Sequence, residues 1–88
     1  MQKLGSFTGN WEYVTDDLKN LLNKHRSDIA EKLGFEIAKL EGDQYKTQIV
    51  NGTNYKIKAK VNGNKEIQVV IHVPLGENPA TEVIQCSK

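Results

Sequence analysis

Apolar residues in the first third of the chain recur with a helical period. Val14, Leu18, Leu21, Leu22, Ile29 and Leu33 fall on one stripe of a 3.6-residue repeat, and Asp16, Asp17, Lys19, Asn20, Lys24 and Glu31 fill the other side. Acidic residues come early, Lys32 comes late, and Gly34 can take the left-handed conformation that ends a helix. The pattern predicts a single helix from about Asn10 to Leu33, roughly 30 Å long. Residues 1–9 carry Gly5 and Gly9 without periodicity and read as a mobile arm ahead of it.

Beyond Gly34 the period changes to two. Phe35, Ile37 and the following EIAKL segment read as a strand whose alternation slips near Ala38 to Leu40, the sign of a bulge or bend. Tyr45, Thr47 and Ile49 continue it past Gly42-Asp43. Tyr55, Ile57, Ala59 and Val61 alternate with Asn54, Lys56, Lys58 and Lys60, so one face is buried and the other solvated. Asn62-Gly63-Asn64 is a hairpin turn signal, and Ile67, Val69, Ile71 and Val73 face inward on the returning strand. Gly76-Glu77-Asn78-Pro79 turns the chain again before a last short strand from Thr81 to Cys86. Consecutive strands with short connections pair antiparallel. The expected fold class is α+β, one long helix packed across a four- to five-stranded antiparallel β-sheet.

Composition narrows what such a frame can do. With 88 residues and 9.9 kDa, one domain over residues 1–88 is expected, with too small a core for a large enclosed cavity, so function belongs on the surface. A net charge of +1 provides no field for capturing nucleic acid or an anionic membrane. There is no apolar leader and no run near the roughly 20 apolar residues of a membrane span. One cysteine, Cys86, cannot form an internal disulfide, which favours a reducing, cytoplasmic location.

Catalytic chemistry is poorly supplied. His25, His72 and Cys86 have no metal-ligand spacing, and no metal or other cofactor is implied. Cys86 and His72 could in principle form a thiol-imidazole pair, but Cys86 lies on a terminal strand with nothing to activate it. Asp16 and Asp17 diverge by about 100° around a helix and cannot share a proton. The basic row Lys56, Lys58, Lys60 has no aromatic on its own strand face to stack a base, and reads as a solvated face that discourages edge aggregation. An enzyme is not expected.

One segment departs from a plain scaffold. Gln48-Ile49-Val50-Asn51-Gly52 joins two strands where the meander turns tightly, and Val50 is expected to be pushed outward or strained; an ordinary Asn51-Gly52 hairpin is the simpler explanation. QIVNG fits the Q-x-V-x-G signature of the cystatin superfamily. The longer run from Gln44 to Tyr55, ending in GTNY and followed by a lysine-alternating strand and a V-P-L-G-E-N loop, resembles the stefin branch, the intracellular type 1 cystatins. The resemblance covers most of the chain.

That resemblance implies a reversible, tight-binding, competitive inhibitor of papain-like (cathepsin-type) cysteine proteases. The inhibitory edge it implies is a wedge of three parts. The first is the arm, with Leu4 and Gly5. The second is the first hairpin loop, Gln48, Ile49, Val50, Asn51 and Gly52. The third is the second hairpin loop, Val73, Pro74, Leu75 and Gly76. Gly9 competes with Gly5 as the arm glycine, and the second loop aligns either through Val73-Pro74 or through Pro74-Leu75 in reversed order. Relative to stefins the chain ends early, so C-terminal contacts to a protease are expected to be reduced. Asn51-Gly52-Thr53 is formally a glycosylation sequon and is read as a turn. A monomer is expected, with a route to a domain-swapped dimer by opening of the first loop. The alternative reading is a noninhibitory cystatin-fold binding or regulatory module.

Overall fold

The helical stripe folds as two segments. In the computed structural model, which describes residues 8–77 and 80–87, α1 (Asp16–Lys24) and α2 (Arg26–Leu33) flank a single non-helical residue, His25. Thr15 caps α1, its hydroxyl accepting from the Leu18 N–H at 3.3 Å, so the helix starts at Asp16 and not near Asn10. At His25 the backbone takes φ −100° and ψ 17°. The imidazole turns inward, its Nε2 lying 2.6 Å from Thr81 Oγ1 and its Nδ1 3.1 Å from Asp28 Oδ2. Leu22 and Ile29 are seven residues apart, two helical turns, so the buried stripe survives the break. Gly34 closes α2 in the left-handed conformation, φ 83°, as expected.

Five strands form one sheet in chain order, each antiparallel to its neighbour: β1 (Thr8–Tyr13), β2 (Leu40–Val50), β3 (Gly52–Val61), β4 (Lys65–Val73) and β5 (Glu82–Ser87). Strand β1 corrects the sequence reading, which gave Thr8 and Gly9 to the arm and the following residues to the helix. It is a bulged edge strand, irregular between Thr8 and Glu12. Met1 to Phe7, Asn78, Pro79 and Lys88 lie outside the described residues.

Phe35 to Lys39 is a connection and not a strand. Its backbone groups are held by side chains from elsewhere. Arg26 Nη2 donates to the carbonyls of Ile37 and Ala38, both at 2.6 Å, and Asn62 Oδ1 accepts from the Ala38 and Lys39 N–H groups at 2.7 and 3.2 Å. The bulge expected near Ala38–Leu40 sits instead at Asp43, where the β2–β3 register slips between Gly42 and Gln44. The Asp43 carbonyl accepts from the Val14 N–H at 3.0 Å, which ties the start of the helical layer to the sheet.

One face of the sheet receives the helices. Leu22, Ile29 and Leu33 pack with Ile57, Ala59, Val61, Ile67, Val69 and Ile71, all buried. At about 25 cal/mol per Å² of apolar area removed from water, this shared cluster is the dominant stabilising element of so small a domain. Helix α1 passes close over Gly42, where a β-carbon would come 3.3 Å from Leu22 Cδ2 and 3.4 Å from Val14 Cγ2. Tyr45 and Tyr55, with ring centroids 6.3 Å apart, cover the core toward the β2–β3 hairpin. No helix among the described residues is long and apolar enough to cross a membrane.

Candidate functional site

Past the tyrosine pair the helical layer ends and the sheet continues. Ile49 is seven residues beyond Gly42, about 23 Å further along β2. It points to the helix side of the sheet and is 75% exposed. This corrects the expectation for the first loop, because Val50 is half-buried and Ile49 is the residue that projects. The turn is tight. Val50 pairs directly with Gly52 across the exposed Asn51, and the positive φ falls on Gly52 at 111°.

Gly52 also brings the two hairpins together. A β-carbon there would lie 2.5 Å from the Val73 carbonyl oxygen, 2.9 Å from Pro74 Cα and 3.3 Å from His72 Cε1. The first two neighbours are backbone atoms, so no rotamer change relieves the contact. Ile49, Thr53 and Val73 stand in one row across β2, β3 and β4. Val73 and Pro74 are half-buried, whereas Leu75 is 75% exposed and Gly76 is open to solvent. The second loop therefore presents Leu75 as its outward apolar side chain. Both tips end in a large exposed hydrophobe on a rigid two-hairpin base, an arrangement that costs solvation energy in isolation and suits an apolar cleft. Leu4 and Gly5, the expected third part, lie outside the described residues. Gly9, the rival glycine, is built into β1 with φ 85°.

On the opposite face three polar side chains connect the stems of these hairpins. Gln48, Asn54 and His72 occupy one register row. Asn54 Nδ2 donates to Gln48 Oε1 at 2.7 Å, and Asn54 Oδ1 lies 2.7 Å from His72 Nδ1. Gln48 is 7% exposed, and its Nε2 is a buried donor without a hydrogen-bond partner among the described residues. Asn54 and His72 did not stand out in the sequence as partners of Gln48, because no short motif links residues 48, 54 and 72.

Two other groups separate from the site. Cys86 pairs with Val69 on the helix-facing side of the sheet, while His72 faces the other way, so the two cannot form a dyad. Burial pushes the Cys86 thiol above its ordinary range, and Lys32 offsets this in part, which disfavours the thiolate. On the outer face the sheet brings Trp11 to the lysine row, with Lys58 Nζ 4.1 Å and Lys46 Nζ 4.9 Å from its ring centroid. The aromatic lacking on that strand itself comes from β1. Its ring attracts two like charges brought close by the pairing of β2 and β3.

Comparison with known proteins gives this edge a context. No protein-family model matches the chain. Individual proteins do: cystatin-A of Homo sapiens is 37% identical over 66 residues, covering 74% of this chain and 67% of that protein. Leukocyte cysteine proteinase inhibitor 1 of Sus scrofa is 36% identical over 68 residues, 75% of this chain and 66% of that protein. Cystatin-A2 of Dictyostelium discoideum is 34% identical over 70 residues, 78% and 73% respectively. An α+β domain with an antiparallel meander and QIVNG at its first hairpin, matched at this level, belongs to the cystatin family. Within it the relatives place the chain with the stefin-like, cystatin-A type. The matched region spans roughly two thirds of the length of these relatives.

Proposed function

We propose that this protein is a reversible, competitive inhibitor of papain-like cysteine proteases that fills the active-site cleft with its two-hairpin edge. The observation that carries this reading is the contact of Gly52 with Val73 and Pro74, which makes one rigid edge from two loops and leaves Ile49 and Leu75 outward. A cysteine protease cleaves an extended peptide whose carbonyl lies at attack distance from its thiolate. A hairpin tip held by a sheet enters the same cleft with its backbone turned back on itself and offers no such carbonyl. Most of the ordering entropy is lost on folding and not on binding, so apolar contact by Ile49, Val50, Pro74 and Leu75 converts efficiently to affinity.

The arm residues Leu4 and Gly5 extend the wedge in this reading, Leu4 entering an apolar subsite and Gly5 letting the chain pass the catalytic centre without a Cβ. Inhibition is by occlusion. The protein's own groups form and break no covalent bond. Titration of papain with the protein tests the proposal: activity should fall linearly to a one-to-one end point and return on dilution or on competition with substrate. Full protease activity with the inhibitor at micromolar concentration would refute it and leave the noninhibitory binding module.

A further inference from the structure

The row Gln48–Asn54–His72 lies one residue behind both tips. Gln48 directly precedes Ile49 and Val50, and His72 directly precedes Val73 and Pro74. Asn54, on the strand between them, uses both ends of its carboxamide, with Gln48 Oε1 on one side and His72 Nδ1 on the other, each at 2.7 Å. The imidazole also fills space under the first tip, its Cε1 being 3.3 Å from where a Gly52 side chain would begin. The bond directions are linked. Because Asn54 Nδ2 donates to Gln48, Asn54 Oδ1 is left as an acceptor, so His72 must carry its proton on Nδ1. The Gln48 carboxamide is then held by its oxygen, and its Nε2 remains a buried donor unpaired among the described residues.

We propose that His72 is a positioning residue of the inhibitory edge: acting through Asn54, it orients the Gln48 carboxamide and makes the two hairpins one mechanical unit. The proposal rests on the inhibitor reading for its consequence, but not for its structural content. The charged groups nearest in register are Glu82, opposite His72 on β5, Lys56, opposite Val70 and two residues along β3 from Asn54, and Lys46, opposite Lys56 and two residues along β2 from Gln48. The two hydrogen bonds of the row are made by Gln48, Asn54 and His72 themselves.

Two measurements decide it. Long-range 1H–15N NMR in mildly alkaline buffer should show the His72 proton on Nδ1, and His72→Ala should shift the side-chain amide resonances of both Asn54 and Gln48. A proton on Nε2, or a response confined to Asn54, overturns the relay. In papain inhibition, His72→Ala should speed dissociation of the complex by about five- to tenfold with little change in association. His72→Asn, which returns a donor near the Nδ1 position, should recover most of that loss. Equal inhibition by wild type and both variants, or an equal defect in both variants, overturns the positioning role. Thermal unfolding of each variant separates a folding defect from a positional one. Wild-type protein that fails to inhibit papain removes the functional reading, and the NMR arm still decides the relay.

Discussion

The Val73 carbonyl oxygen lies where a side chain on Gly52 would begin: a β-carbon on Gly52 would be 2.5 Å from it, and Gly52 has a φ of 111°. Close approach and backbone conformation thus both require glycine. Gly52→Ala must either push β3 from the end of β4 or distort the turn. The expected cost is about 2 kcal/mol or more in stability, with inhibition weakened by over tenfold. Thermal unfolding and a papain inhibition constant check both; unchanged inhibition would show that the spacing of the hairpins is not critical.

Ile49 and Leu75 separate binding from stability. Each is 75% exposed, so Ile49→Ser and Leu75→Ser should leave thermal stability within ~0.5 kcal/mol of wild type. Burying either side chain in a protease cleft contributes about 1.5–3 kcal/mol. Inhibition constants should therefore rise by about tenfold or more for each substitution. An unaltered inhibition constant for both would remove these tips from the interface.

His25 predicts the opposite kind of effect. It is buried at the break between α1 and α2, where it hydrogen-bonds Thr81 Oγ1 at 2.6 Å and Asp28 Oδ2 at 3.1 Å. His25→Ala opens a cavity and strands the Thr81 hydroxyl, at an expected cost of about 2–3 kcal/mol. Thr81→Val removes the same bond from the other side, and its effect should not add to that of His25→Ala, because the two residues share one interaction. Urea unfolding of the single and double variants measures this.

Cys86 should behave as a quiet thiol. Burial raises its pKa, with Lys32 lowering it in part, so at any pH below that value the folded protein holds less thiolate than the unfolded chain. Alkylation by iodoacetamide near pH 8 should be slower in native protein than in urea, and the native rate should keep climbing with pH after that of the unfolded chain begins to level. A native rate equal to or above the unfolded one would contradict this.

Asn62 gives a fifth test. It sits at φ 53°, and its side chain accepts from the N–H groups of Ala38 and Lys39. Asn62→Gly keeps the turn conformation and removes the side-chain bonds. A loss of about 1–2 kcal/mol is expected, together with faster amide exchange across residues 36–39; unchanged exchange there would show that Arg26 alone holds the segment.

Some of this was legible along the chain because it depends on neighbours in sequence. The period of two from Tyr55 to Val61 and from Ile67 to Val73 determined which face of β3 and β4 meets the helices, although Val70 on the other face of β4 is buried as well, and the positive φ of Asn62 and Gly63 carries the expected turn between them. The apolar stripe likewise gave the buried face of the helical layer, but it could not show the break. An interruption at His25 leaves Leu22 and Ile29 two turns apart on the same side, and the partner that His25 meets there, Thr81, comes from 56 residues away. Strand β1 was hidden for a related reason, since a bulged edge strand with one exposed tyrosine carries no regular alternation.

The site divides the same way. QIVNG and the second loop stand out in the sequence as tips of hairpins. Which of their side chains project was decided by the tertiary structure, which leaves Ile49 75% exposed and Val50 half-buried. The contact of Gly52 with Val73, and the chain of bonds from Gln48 through Asn54 to His72, exist only once three strands align in register. Local periodicity carries information about burial; it carries none about which residues, distant in the chain, meet at hydrogen-bonding distance.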